Sequence, residues 1–221
     1  MGIDIPALQA RLAPCGLCLF GDLTATVHGK PRRLLLAGNA GPAMWRAFSA
    51  SPEAQDGLSD PLDRWTRRIL QPIAEEHDIH ILFPFDGPPW HPFQAWAQQA
   101  GCGRPSPLGI LMHPRYGLWH GYRGAFLLPA SVVSKAAPPP PHACDNCSAK
   151  PCLNTCPVGA ITTSGLDAAR CRAHIASAAG TPCRTGGCLA RRACPVAAGW
   201  QQSSRQQAFH LAAFAKSPVS A

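Results

Sequence analysis

Apolar and polar positions change rhythm along this chain, and each change marks an element. Leu8 and Leu12 stand four apart in residues 1–13 and predict a short helix. Residues 15–27 are rich in β formers and predict a strand. Residues 33–37 hold three successive leucines and predict a second strand, buried on both faces. Gly38 and Gly41 close that strand, and Pro42 suits the first position of a helix carrying Met44, Trp45 and Phe48. Two glycines here make a turn rather than a phosphate loop. The clearest helix starts at Asp60 and Pro61, with Leu62, Trp65, Ile69 and Ile73 on one stripe. Asp63 and Arg67 stand as an i,i+4 pair, and Trp45 and Trp65 read as core. A third strand covers 79–83, a rigid turn 84–89, and a short helix with Phe93 and Trp96 runs towards Gly101.

Residues 107–129 predict a β-hairpin turning at 114–117. It gathers His113, Arg115, Tyr116, Trp119, His120, Tyr122 and Arg123 around four glycines. Glycine lets backbone approach a ligand closely, and arginine beside aromatics suits a large, amide-decorated planar cofactor. A stiff proline-rich linker at 136–142 then divides a domain at 1–135 from one at 143–221. The second domain closes with a helix over 206–216 carrying Phe209, Leu211, Ala212 and Phe214.

The polar chemistry is concentrated in cysteine. Eight of eleven cysteines fall at Cys144, Cys147, Cys152, Cys156, Cys171, Cys183, Cys188 and Cys194, and proline follows both Cys156 and Cys194. The two-cluster ferredoxin signature is three close cysteines and a fourth, before proline, that ligates the other cluster. The first half fits with a longer second gap, and the second is looser, with Cys171 well ahead of Cys183. Crossing the halves predicts one [4Fe–4S] cluster on Cys144, Cys147, Cys152 and Cys194. The other falls on Cys156, Cys171, Cys183 and Cys188. Zinc would want paired knuckles, and only Cys144 and Cys147 form one; a disulfide framework belongs to small secreted domains. Cys15 and Cys18 are expected as packed free thiols, and Cys102 as structural. The segment has few large apolar residues, so its clusters are expected to serve as its core.

A formal charge of +8 invites a nucleic-acid partner. Eight thiolates and two cluster cores would lower it to roughly +4. Lys150, Arg170, Arg172, Arg184, Arg191 and Arg192 crowd the cysteines, and offsetting cluster charge is their plainest role. A docking face for an acidic electron donor comes next, and nucleic acid is expected last. Residues 1–13 lack a basic start and an apolar run, and no stretch approaches the roughly 18 apolar residues of a membrane span. A cytoplasmic protein is expected.

The stretch Gly109-Ile-Leu-Met-His113-Pro114-Arg115-Tyr116-Gly117-Leu-Trp119, then Tyr122-Arg123-Gly124 and Leu127-Leu128-Pro129, resembles the cobalamin-processing trafficking family. That family decyanates and dealkylates vitamin B12. The likeness reaches back weakly through Pro42-Ala43-Met44 and Asp60-Pro61-Leu62-Asp63, about 100 residues in all. The cysteine module resembles that of epoxyqueuosine reductase and the corrinoid reductive dehalogenases, through Cys156-Pro-Val-Gly-Ala-Ile161 and Gly165-Leu-Asp-Ala-Ala-Arg-Cys171. These resemblances imply an α+β chain: a nitroreductase-like corrinoid-binding domain followed by a bacterial two-[4Fe–4S] ferredoxin-like module. They imply that Gly109, Leu111, Tyr122 and Arg123 face a base-off corrin, with His113, Arg115 and Trp119 shaping the hairpin. Asp22 and Asp86 are candidates for a proton donor, and His113 and His120 for a lower cobalt ligand, although hairpin histidines are more often packing or surface groups.

The expected function is that of an oxidoreductase passing electrons through its clusters to a bound cobalamin, with a flavodoxin- or ferredoxin-reductase-type protein as donor. A flavin is the alternative cofactor. The alternative functions are a non-enzymatic ferredoxin-type carrier and an epoxyqueuosine-reductase-like, tRNA-modifying reductase; only 27 residues follow Cys194, which argues against the last.

Overall fold

The computed structural model describes residues 3–129 and 141–216. Most of the proline-rich stretch lies outside the described residues. The chain divides into two compact units, Met1–Gly103 with His120–Pro140 and Arg104–Trp119 with Pro141–Ala221. Residues 104–119, expected in the first domain, therefore group with the cysteine-rich residues.

In the first unit, α1 (Ile5–Leu12) starts where the Asp4 carboxylate accepts the Ala7 N–H at 3.2 Å, and it buries Leu8 and Leu12. The strands β1 (Leu17–Val27) and β2 (Lys30–Ala40) form a hairpin. Its two turn residues, His28 and Gly29, both have positive φ, the backbone a two-residue hairpin requires. After α2 (Ala43–Ser49) comes α3 (Pro61–Glu76), then β3 (His80–Leu82) and α4 (Phe93–Gln99). In the second unit, β4 (Arg104–Pro105) and β5 (Leu111–Met112) form a small ribbon. The chain resumes the first unit as β6 (His120–Leu128).

The main sheet has the order β1-β2-β6-β3, antiparallel throughout. β2 is buried from Leu34 to Ala40, as three successive leucines predict. Glycine is required where β2 meets β6, since a Cβ on Gly38 would lie 2.1 Å from the Gly121 carbonyl oxygen. The long hairpin expected over 107–129 does not form. Its turn exists, with His113 and Gly117 exchanging backbone bonds of 2.8 and 2.9 Å, but β5 pairs with β4 while β6 lies between β2 and β3. A run of β formers fixes a strand without fixing its partner.

The buried face of α3 is rotated relative to the expected stripe. Leu62, Trp65, Thr66, Leu70, Ile73 and Ala74 are buried, and Ile69 is only half-buried. Leu70 packs against Gly124 of β6, where a Cβ would lie 2.9 Å from Ile81 and 3.1 Å from Leu70, so the bare glycine leaves room for both. Arg67 pairs with Asp86 instead of Asp63. Trp65 and Trp45 pack around Phe48, with ring centroids 5.9 and 5.4 Å away.

The second unit continues with α5 (Pro151–Thr155), a ribbon of β7 (Ile161–Thr162) and β8 (Gly165–Leu166), and α6 (Ala168–Ala176). Three more helices follow, α7 (Thr181–Gly186), α8 (Leu189–Arg192) and α9 (Ser204–Lys216). Asp167 caps α6 by accepting the Arg170 N–H at 2.9 Å. The core of this ribbon region is small: Leu108, Met112, Leu118, Ile161 and Ala190, ringed by Cys144, Cys152, Cys156, Cys188 and Cys194 among others. The architecture is thus mixed α and β, and among the described residues no helix is long and apolar enough to cross a membrane.

Leu70→Ala should cost about 2–5 kcal/mol by opening a cavity against Gly124, and Ile69→Ala distinctly less. Urea unfolding of both variants measures this; equal costs would contradict the rotated face.

Candidate metal centre

The eight cysteines sit in turns, at helix ends and within short helices. Cys144 and Cys147 share a turn, with the Cys147 N–H reaching the Cys144 carbonyl at 3.4 Å. His142 anchors it: its Nδ1 accepts the Cys144 N–H at 3.0 Å, and its Nε2–H donates to the Pro105 carbonyl at 2.7 Å. Cys152 lies in α5, Cys156 caps its end, Cys171 lies in α6 and Cys183 in α7. Cys188 caps the start of α8 and Cys194 follows its end. Backbone N–H groups point at several sulfurs. Ala160 donates to Cys156 Sγ at 3.3 Å, and nearby backbone N–H groups oppose the burial that raises the pKa of Cys188, Cys194 and Cys152. Such bonds favour thiolate over thiol.

The thiols fall into two groups. Burial raises the Cys144 pKa, and the charges of Cys194, Cys152 and Cys147 raise it further. Burial pushes Cys171 up to about 11, helped by Cys188, Cys156 and Cys183. Cys194 is raised by burial and then by Cys152 and Cys147, and Cys188 by burial and then by Cys183 and Cys156. Each of these thiol–thiol effects stays within one set, Cys144, Cys147, Cys152 and Cys194 or Cys156, Cys171, Cys183 and Cys188. Cys156, Cys171, Cys183 and Cys188 also line one cavity of about 210 Å³, with apolar walls from Ile161, Ile175 and Phe214. None of the eleven cysteines is in a disulfide, and among the described residues no three His, Cys, Asp or Glu side chains are gathered for a single metal ion. The donor set fits a cluster: four soft thiolates around a roomy apolar space, with N–H groups on sulfur.

Charge is partitioned as well. The second unit's residues include ten Lys and Arg but only Asp145 and Asp167 as acids, whereas the first has ten of each sign. The entire formal excess therefore belongs to the cysteine-bearing unit.

The four residues expected to face a cofactor fall in different units. Gly109 has φ +74° and backs onto Leu166, and Leu111 is buried in β5, both in the second unit. Tyr122 and Arg123 belong to the first. The Tyr122 hydroxyl donates to the Cys102 carbonyl at 2.9 Å and lies 3.2 Å from His120 Nε2; burial raises its pKa. Arg123 Nε donates to Asn39 Oδ1 at 3.1 Å; burial lowers its pKa, and Asp63 opposes this. Asp22 pairs with Arg33 at 2.7 Å, and Asp86 pairs with Arg67 and accepts the Phe83 N–H at 3.1 Å. Cys15 lies in the turn after α1 rather than on β1, and Cys102 is buried, its thiol 3.4 Å from the Ala100 carbonyl.

His113 Nδ1 accepts the N–H groups of Arg115 and Tyr116 at 3.0 and 3.3 Å, so it holds the turn and that nitrogen does not reach a cobalt. Sequence reasoning missed His142 and the burial of Arg191. Neither carries a spacing signal; only their positions beside ligand-type cysteines hint at a role.

No family model and no curated protein sequence matches the chain. Solved structures do. A B12-trafficking protein CblC of C. elegans, a human MMACHC homologue, aligns with TM-score 0.55 and 14% identity over 93% of this chain and 90% of that one, which establishes a shared fold. A selenomethionine-labelled epoxyqueuosine reductase aligns at TM-score 0.49 with 18% identity over 79% of this chain, and this chain spans 51% of its length. Epoxyqueuosine reductase with an epoxyqueuosine-modified tRNA-Tyr stem loop aligns at TM-score 0.45 with 19% identity, over 76% of this chain and 49% of that one. The resemblance to the cobalamin-processing trafficking family read from the sequence thus has a counterpart in fold among solved structures.

Burial, then the Arg115 charge, holds the His113 pKa down at about 4 from 6.5. The unfolded chain binds this proton first, so stability present above about 6.5 is lost as pH falls towards about 4. An NMR titration should place the His113 ring near 4; a value near 6.5 would contradict its acceptor role.

Proposed function

We propose that the chain is an iron–sulfur oxidoreductase that takes electrons from a protein donor and delivers them to the cobalt of a corrinoid substrate. The observation that supports this reading is the apolar cavity lined by Cys156, Cys171, Cys183 and Cys188, with the Ala160 N–H directed at the Cys156 sulfur. Cys144, Cys147, Cys152 and Cys194 would hold one [4Fe–4S] cluster, and Cys156, Cys171, Cys183 and Cys188 the other. Bound clusters supply one-electron transfer at potentials adjusted by burial and hydrogen bonds to sulfur. The chain's part is to hold the ligands and keep water away. His142 anchors the Cys144 turn, and Ile161, Ile175 and Phe214 wall the second group.

The corrinoid half of the reading draws on the fold shared with the B12-trafficking protein and on the hairpin resemblance. Tyr122 and Arg123 of the first unit are the residues proposed to face it, with a flavin as the competing guest. Anaerobically purified protein should carry about eight iron and eight sulfide per chain. With a low-potential reductant it should convert cob(II)alamin to cob(I)alamin. A specific observation favours a second reading, a ferredoxin-type carrier without a cofactor in the first unit: Tyr122 and Arg123 already bond to Cys102 and Asn39. Loaded clusters with unchanged cobalamin and flavin spectra would establish the carrier and sink the corrinoid.

The positive excess of the cysteine-bearing unit supports an acidic, flavodoxin-type donor. Raising ionic strength from about 0.05 to 0.5 M should slow reduction by such a donor at least tenfold, followed by stopped-flow absorbance. A salt-independent rate would contradict this docking, and tight, salt-sensitive binding of tRNA would point to the tRNA-modifying alternative instead.

A further inference from the structure

Arg191 is the only Lys or Arg among the described residues lining the cavity that holds Cys156, Cys171, Cys183 and Cys188. Its Nη2 donates to the Leu118 carbonyl, its guanidinium lies 4.6 Å from the Trp119 ring centroid, and its Nε is buried without a hydrogen-bond partner. A cation held this way wants a counter-ion, since burying an unpaired charge costs several kcal/mol. The second unit offers two carboxylates, and both are engaged elsewhere: Asp145 with Arg104 at 3.7 Å and Asp167 with Arg170 at 3.5 Å. Burial brings the Arg191 guanidinium down to about 10, still cationic at neutral pH, and the neighbouring Cys188 acts in the opposite direction. Other arginines lie nearby without lining this space, and Arg172 Nη1, like Arg191 Nε, is buried without a hydrogen-bond partner. Arg184 donates to the Ile175 and Ser177 carbonyls, and Arg172, whose charge also reaches Cys171, stacks on Phe214 and donates to its carbonyl.

We propose that Arg191 is the counter-charge of the cluster held by Cys156, Cys171, Cys183 and Cys188, and that it raises the potential of that cluster alone. The inference rests on the cluster reading above. Four thiolates around a [4Fe–4S]²⁺ core leave a net charge of about −2, and one-electron reduction makes it about −3. A fixed cation favours the more negative state. Arg191 also ties this cluster's surroundings to Leu118 and Trp119, so it is a positioning residue as well as a charge.

Dithionite-poised redox titrations followed by EPR resolve the two clusters in wild type, Arg191→Gln, Arg191→Lys and the exposed control Arg192→Gln. Arg191→Gln should disfavour reduction of one cluster at least tenfold, about 59 mV for one electron, and leave the other in place. Arg191→Lys should stay within about twofold, near 18 mV by the same conversion, and Arg192→Gln should match wild type. Unchanged potentials in Arg191→Gln, or equal shifts in both clusters, overturn the proposal. Should Arg191→Gln load too little iron to titrate, Arg191→Lys decides: a tenfold shift with the charge retained overturns it, and a potential near wild type upholds it. Wild-type protein without iron would defeat the functional reading itself, a result distinct from loaded clusters indifferent to residue 191.

Discussion

Thiolates gathered in fours repel one another, and burial makes each ionisation harder still. Cys171 shows both effects, with a pKa near 11 raised first by its surroundings and then by three neighbouring sulfurs. A group of thiols in this state gains nothing from proximity unless something positive joins it. Backbone N–H groups on Cys152, Cys156, Cys188 and Cys194 supply part of that, and Arg191 a further part. The apolar cluster beside these cysteines is small, with Leu108, Met112, Leu118, Ile161 and Ala190 at its centre.

The first unit is held together differently. Its four-stranded sheet depends on side chains filling hollows left by glycine, as Leu70 and Ile81 do at Gly124. Positive and negative residues balance there, and Asp22, Glu53, Asp56 and Asp86 each pair with an arginine. One unit is thus a conventional packed sheet with helices, and the other carries all of the excess charge and eight of the cysteines.

Much of this was legible from the residue pattern. Leu8, Leu12, the leucines of β2 and the stripe of α3 announced their elements because burial imposes a period. The cysteine spacing singled out Cys156, Cys171, Cys183 and Cys188 as a set, and these four line one cavity. What failed was partnership. Residues 107–129 read as one hairpin, yet β5 and β6 pair with different strands, because local β preference is silent on which edge is available. Ile69 and Leu70 are adjacent leucine-like residues, and their pattern does not say which of them packs against the bare Gly124. His142 and Arg191 act singly, and a single residue has no spacing to read.

The pairing of distant cysteines is the centre of the account, and EPR of reduced single Cys→Ser variants tests it most directly. Cys194→Ser and Cys144→Ser should abolish one and the same cluster signal, while Cys156→Ser and Cys188→Ser abolish the other. Loss of the same signal in Cys194→Ser and Cys188→Ser, with Cys144→Ser sparing it, would contradict the account.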